Sequence, residues 1–93
     1  MSMENSKDRV RVWLVERDVD QRNLVTLVYA TPDGDQRYRR QLSSAAFDRG
    51  AAVTAATTVG PTDLEPVESD DLSERYADEV RRIADQRDPD EAV

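Results

Sequence analysis

Three segments in the first half of the chain are typical of β-strands. The first alternates apolar and polar residues over its first half, the second is the most apolar run of the chain, and the third follows a turn. They span residues 9–17, 24–31 and 36–42, and valine, threonine and tyrosine are frequent in them. The second and third segments are separated by Pro-Asp-Gly-Asp at residues 32–35, in which proline and glycine favour a tight turn. The pattern therefore predicts a three-stranded antiparallel β-meander with the second strand at its centre.

The stretch after the third strand is rich in alanine and threonine, and it can be interpreted in two ways. Alanine favours a helix over about residues 44–57, capped by Ser43 or Ser44. The threonine-rich end favours a fourth strand over residues 53–59 instead. The helix is our first prediction and the strand is the alternative, and the Gly-Pro pair that follows ends either element.

The last third of the chain predicts one amphipathic helix. It begins at Ser69 or Asp70, where a side-chain cap and two aspartates suit a helix N-terminus, and it ends before the Asp-Pro-Asp of residues 88–90. Its apolar residues recur at spacings of four, four, three and one, so they form one stripe. The stripe consists of Leu72, Tyr76, Val80, Ile83 and Ala84.

Together these elements predict an α+β fold in which two helices cover one face of the sheet, in the order β-β-β-α-α. The 93 residues are enough for one domain. We expect residues 9–87 to form it, with a flexible N-terminus over 1–8 and a flexible acidic tail over 88–93. The predicted core consists of Val10, Val12, Leu14, Val25, Leu27, Tyr29, Tyr38, Leu42, Phe47, Leu72, Tyr76, Val80 and Ile83.

Charge changes the picture of the surface. The net charge is −7, with 13 aspartates against 7 glutamates and 12 arginines against one lysine. Most of the acidity falls in residues 63–93, whereas residues 1–62 are nearly neutral. A surface of this kind repels itself in dilute buffer and is screened in concentrated salt. The composition therefore indicates adaptation to high salt, and the alternative is an acidic protein from a GC-rich genome.

Three segments carry a resemblance to known proteins: RVWLVERD, NLVTLVYATPDGDQRYRR and LSERYADEVRRIADQRDPDEAV. They cover more than half of the chain and resemble a group of short haloarchaeal proteins of uncharacterised function. The resemblance implies a halophilic, cytosolic single domain and no particular activity. The absence of a long apolar run and of a secretion signal also favours the cytoplasm.

The inventory of reactive side chains argues against catalysis. The chain has no cysteine and no histidine, so the commonest nucleophiles, general bases and nitrogen or sulfur metal ligands are missing. Asp33-Gly34-Asp35 resembles a fragment of a calcium loop, but the acidic residue required at the twelfth loop position falls at Ser44. We interpret this segment as a turn and expect no enzyme activity, no metal site and no cofactor.

The sheet face opposite the predicted core is the candidate binding surface, and we call it the Arg/Trp face. An exposed tryptophan among apolar neighbours favours protein–protein association, either as a homodimer or with an adaptor partner. Arginines interleaved with an aromatic ring suit RNA, which is the alternative. A solvated face without function is the plain interpretation. The candidate binding residues are Arg11, Trp13, Val15, Arg37 and Arg39, and Arg9 and Arg17 border them.

Overall fold

The computed structural model describes residues 9–45 and 53–93, which form a five-stranded antiparallel sheet and one long α-helix. The order across the sheet is β4-β1-β2-β3-β5. The α+β prediction is confirmed, but the three predicted strands are joined by one further strand at each edge. The elements are β1 (Val10–Val19), β2 (Leu24–Ala30), β3 (Gln36–Ser43), β4 (Ala56–Val59), β5 (Glu65–Pro66) and the helix α1 (Asp70–Gln86).

The hairpin of β2 and β3 follows the turn chemistry of its sequence. Gly34 has φ of 77°, a left-handed conformation that glycine adopts without strain. The Asp33 carboxylate accepts hydrogen bonds from the Thr31 hydroxyl at 2.6 Å and from the Asp35 N–H at 3.0 Å. The Thr31 N–H donates to the Gln36 carbonyl at 3.0 Å, which closes the ladder. The turn thus aligns β3 antiparallel to β2.

The predicted helix over residues 44–57 is wrong at its C-terminal end. Residues 46–52, including Phe47 of the predicted core, lie outside the described residues. Residues 56–59 form β4, where Thr57 lies opposite Val12 and Val59 lies opposite Val10. Pairing of these β-branched residues with β1 outweighs the helix propensity of the alanines before them. The alternative strand is therefore the element that forms.

Helix α1 begins and ends where the sequence predicts. The Ser69 hydroxyl accepts a hydrogen bond from the Leu72 N–H at 3.2 Å and caps the first turn. Tyr76 and Val80 are buried on the inner face, and Ile83 is half-buried. Ala84, at the margin of the predicted stripe, is exposed. In the described part of the chain, no helix has the length and apolar content needed to cross a bilayer.

The apolar residues of the described chain form two clusters, one on each face of the sheet. Val12 and Leu27 are fully buried in the first, and burial of each contributes about 1.5–3 kcal/mol. The prediction that the helices cover one face and leave the other open is wrong. The first cluster comprises Val12, Leu14, Val25, Leu27, Tyr29, Val53 and Val59. The second comprises Trp13, Val28, Ala30, Ala55, Ala56, Tyr76 and Val80.

The C-terminal segment, residues 88–93, differs from the flexible tail that the sequence predicts. Its backbone lies beside residues 53–56, and the Val93 N–H donates to the Val53 carbonyl at 2.9 Å. Two further bonds run the other way, from the Ala55 N–H to the Glu91 carbonyl and from the Ala56 N–H to the Pro89 carbonyl, each at 2.9 Å. This segment therefore extends the pairing of the β4 region. The predicted flexible N-terminus, residues 1–8, lies outside the described residues.

Candidate functional site

The Arg/Trp face is covered by helix α1. Trp13 is only 9% exposed and belongs to the same cluster as Tyr76 and Val80 of α1. Val15 is half-buried against this cluster. The expectation of an open face around Trp13 is therefore wrong. Small residues such as Ala30, which lies opposite Trp13 in the ladder, let the helix approach the sheet closely at this place.

A β-bulge reverses the facing of the second half of β1. Leu14 lies opposite Tyr29, but Glu16 lies opposite Val28, so one extra residue is accommodated between the two pairs. As a result Arg17 lies opposite Leu27, on the face of the first cluster. The predicted position of Arg17 on the Arg/Trp face is wrong because strict alternation does not allow for a bulge.

Arg37 and Arg39 lie on the Arg/Trp face as predicted, and both bind the same carboxylate. The Nε atoms of Arg37 and Arg39 are each 3.0 Å from Oε1 of Glu65 in β5. The hydrogen bond from Arg37, with the nearby charge of Arg39, lowers the pKa of Glu65 below its usual value. The Arg37 side chain is 26% exposed and that of Arg39 is 54% exposed. Arg39 therefore stays accessible although it has a partner.

A short polar chain joins these arginines to the helix. The Tyr76 hydroxyl donates to Oε1 of Glu16 at 3.4 Å, while the ring is buried beneath α1. A hydrogen bond to the Tyr76 oxygen is the main reason that the pKa of Arg37 is raised, with Glu65 adding to it. These contacts satisfy a buried phenol and orient Arg37. We interpret them as structural.

Arg11 lies apart from the arginines of β3. It is exposed and borders a shallow depression between β4 and the C-terminal segment, beside Thr54, Thr58 and Pro89. The five predicted residues therefore belong to three places in the fold. Arg37 and Arg39 form a pair at β3, Trp13 and Val15 lie under the helix, and Arg11 stands near the opposite edge of the sheet.

The other face of β3 carries its third arginine, Arg40, between two apolar side chains. Tyr38 and Leu42 are half-buried against the first cluster, and Arg40 between them is exposed. The ring of Tyr38 lies 5.9 Å from that of Tyr29, centroid to centroid. Burial raises the pKa of Tyr29, and the charges of Arg40 and Arg17 oppose this shift. This side of β3 thus presents two apolar side chains, Tyr38 and Leu42, with the positively charged side chain of Arg40 between them.

The outer edge of β3 is paired over only a quarter of its length. Hydrogen bonds from Thr31 to Gln36 and from Ser44 to Asn23 set the parity of the ladder with β2. By that parity the N–H and C=O groups of Arg37, Arg39, Gln41 and Ser43 point away from β2. Strand β5 pairs with Gln36 and Arg37 alone. No other described backbone group reaches the outward groups of residues 39–43. We call this segment the β3 edge.

Two acidic residues of the hairpin turn, Asp33 and Asp35, serve local structure. Asp33 is held by its turn, and its hydrogen bonds to Thr31 and the Asp35 N–H lower its pKa. The Asp35 carboxylate accepts from the Ser73 hydroxyl at 2.9 Å, which ties the turn to α1. Across residues 9–45 and 53–93, no group of three acidic side chains could hold a metal ion. The turn therefore positions β3.

Sequence reasoning did not identify Arg40, Gln41 and Ser43 as candidate site residues. Their importance depends on where β5 stops, because a longer β5 would cover them. The contact between β3 and β5 joins residues almost 30 positions apart, and periodicity does not reveal such pairing. The signal in the sequence was the length of the third predicted strand. No neighbouring segment of comparable length was left to pair with its outer edge.

The comparisons with known proteins identify the family and nothing narrower. No curated protein and no solved structure matches the chain. A family model described as a family of unknown function, DUF7967, matches residues 6–93, nearly the whole length. The uncharacterised family that the resemblance implies is thus supported. The chain belongs to the DUF7967 family of unknown function.

Proposed function

We propose that the protein acts by protein–protein association, and that its partner adds a strand to the sheet at the β3 edge. The observation that carries the proposal is the set of outward backbone groups at Arg39, Gln41 and Ser43, which have no backbone partner among the described residues. A strand that pairs there gains main-chain hydrogen bonds without any rearrangement of the fold.

The accessibility of the β3 edge supports this proposal. Arg39, Arg40, Gln41 and Ser43 are all exposed, and β3 pairs with β2 without interruption from Arg37 to Ser43. Natural proteins commonly shorten, cover or bend such edges, because unpaired strands recruit other chains. Here the strand is long and regular, so the edge is ready for a partner.

The position of Trp13 decides which surface is proposed. Its burial beneath α1 removes the support for an interface centred on this residue. It also removes the stacking platform that suggested RNA, because Tyr76, the aromatic residue that contacts Arg37, is buried as well. Protein association is therefore proposed at β3, and recovery of RNA in the capture experiment would indicate the alternative.

The proposal includes a setting and a mode of action. We infer a haloarchaeal cytoplasm, where concentrated salt screens a net charge of −7. Thermal unfolding in increasing KCl should show a rising Tm, and an unchanged Tm would contradict this setting.

The protein works without catalysis and without a cofactor, as its lack of cysteine and histidine suggests. A turnover abolished by Asp33→Asn would contradict that mode of action.

A single proline substitution tests strand addition. The Gln41 N–H points outward, so Gln41→Pro removes a donor that a partner needs and leaves the ladder with β2 intact. Gln41→Ala is the matched control, because it removes the side chain and keeps the N–H. We expect tagged wild-type and Gln41→Ala chains to capture the same protein from extracts of the source cells, and Gln41→Pro to lose it.

Other outcomes of the capture are equally decisive. A partner retained by all three chains contradicts association through the β3 edge. Recovery of RNA in place of protein, removed by nuclease, contradicts the protein class. Circular dichroism of the three purified chains must show the same fold, and unfolding of Gln41→Pro would contradict the inferred direction of its N–H.

A further inference from the structure

We infer that the partner strand at the β3 edge is an acidic extended segment of a different protein, with a carboxylate between two apolar side chains. This inference rests on the proposed strand addition and specifies the chemistry of the partner. It follows from three features of the edge: the chain's own β5, the alternation of side chains along β3, and the charge that a second copy would bring.

Strand β5 shows how this edge holds a strand. It pairs antiparallel with the start of β3, and Glu65 lies opposite Arg37. Its carboxylate then reaches the Nε atoms of both Arg37 and Arg39 at 3.0 Å. The first two positions of β3 are thus occupied by a strand that offers a carboxylate to arginine. Residues 39–43 continue the same line of backbone groups with Arg39 and Arg40, and no further strand of the described residues pairs with them there.

The side chains beside the vacant groups specify the partner's pattern. On the face of the first cluster, half-buried Tyr38 and Leu42 flank exposed Arg40. Arg17 lies in the same row, because it is opposite Leu27 and Leu27 is opposite Arg40. Residues directly opposite each other in paired strands are neighbours. A partner strand should therefore carry apolar, acidic and apolar residues at alternate positions on this face, in either chain direction.

A second copy of this chain fits the β3 edge poorly. Strand β3, of sequence QRYRRQLS, contains three arginines and no carboxylate. Antiparallel pairing of two copies would bring two Arg39-Arg40 pairs onto one short edge, and like charges across strands are destabilising. The edge also differs in sign from the C-terminal third of the chain, since residues 63–93 are strongly acidic. Charge complementarity therefore favours a foreign acidic strand.

Short capped peptides test this chemistry directly. The probe alternates threonine with the series valine, glutamate, valine, and the matched control has lysine in place of glutamate. We expect the acidic peptide to bind about fivefold to tenfold more tightly at low added salt, with the preference shrinking as salt rises. In amide spectra of the full chain, the outward N–H groups of Arg39, Gln41 and Ser43 should shift more than those of Arg40 and Leu42.

A charge reversal separates the inference from the proposal beneath it. Arg40→Glu should invert the preference, so that the lysine peptide binds better, while Gln41→Pro should abolish binding of both peptides. Equal binding of both peptides to the wild type, still abolished by Gln41→Pro, would overturn the acidic preference and leave strand addition standing. No shift at the β3 edge with either peptide would overturn the inference. A capture that does not depend on Gln41 would overturn strand addition itself.

Sedimentation addresses the second copy. We expect the purified chain to remain a monomer at concentrations where the acidic peptide binds. A dimer dispersed by Gln41→Pro would overturn the inference about a foreign partner while supporting association through the β3 edge.

Discussion

Each edge strand of the sheet has backbone N–H and C=O groups that point outward, and these groups are paired differently at the two edges. At the β4 edge, residues 53–56 exchange three backbone hydrogen bonds with the C-terminal segment, so this part of the edge is paired within the chain. At the opposite edge, β5 pairs with two residues of β3 and stops. An edge is closed or open according to where the remainder of the chain lies. This difference in pairing among the described residues is the reason that we propose β3 as the place for a partner.

We expect the largest effect on stability at Trp13, which is buried beneath α1. Truncation of a buried tryptophan costs about 3–5 kcal/mol, because the cavity is only partly refilled. We expect Trp13→Ala to lower the free energy of unfolding by that amount, as measured by denaturant titration. Val19→Ala is the matched control on the same strand, since Val19 is 59% exposed. A change below 1 kcal/mol at Trp13 would show that α1 does not cover this face.

Gly34 should give the next largest effect, because it holds the paired start of β3 against α1. A Cβ at this position would lie 2.0 Å from the Ser73 backbone oxygen, and φ of 77° is unfavourable for alanine. We expect Gly34→Ala to cost about 2–3 kcal/mol. Gly60→Ala is the control, since its nearest neighbour would be a side-chain oxygen at 3.7 Å. Equal thermal stability of the two variants would contradict the docking of this turn.

Proline substitutions compare the two edges directly. Ala56→Pro removes the N–H that donates to the Pro89 carbonyl on the closed edge, whereas Gln41→Pro removes an outward N–H on the open edge. Loss of one backbone hydrogen bond costs about 0.5–1.5 kcal/mol, and ring strain adds to both. We therefore expect Ala56→Pro to be the more destabilising by about 1 kcal/mol. Equal losses would mean that the β3 edge is closed as well.

The hairpin and the helix could be predicted from the sequence because their signals are local. Gly34 follows proline and aspartate in a turn, and Ser69 precedes an apolar stripe of helical spacing. The face that α1 covers could not be predicted from alternation alone. Strand β2 buries Leu27, Val28 and Tyr29 in succession, so both of its faces are apolar. Such a run is typical of a strand covered on both sides.

The pairing at the edges depends on contacts that no local pattern contains. The bulge near Val15 displaces Arg17 by one position, and the termination of β5 after Pro66 decides what remains open. Of the predicted binding residues, Arg37 and Arg39 lie beside the proposed edge, whereas Trp13 belongs to the core. The alternate arginines correctly indicated one face of β3. The structure adds that Glu65 already binds both of them.

The smallest effect concerns how β5 is held. The pKa of Glu65 is lowered by Arg37, so its contribution is fully present above its unfolded value and is lost as pH falls through the lower, folded value. Once the pH falls below that lowered pKa, protonated Glu65 no longer holds the arginines. The Val67 N–H, which donates to the Asp35 carbonyl at 2.8 Å, should then lose protection against hydrogen exchange.

Glu65→Gln should remove most of this acid response at Val67, because the glutamine side chain does not titrate. Glu68→Gln, a change of the same kind at an exposed neighbour, should leave it in place. Protection factors corrected for intrinsic exchange separate the two cases. An identical acid response in both variants would mean that backbone pairing alone holds β5, as it holds the C-terminal segment at the other edge. Loss in Glu65→Gln alone would mean that the short strand depends on its carboxylate, the same dependence that we expect of a partner bound further along β3.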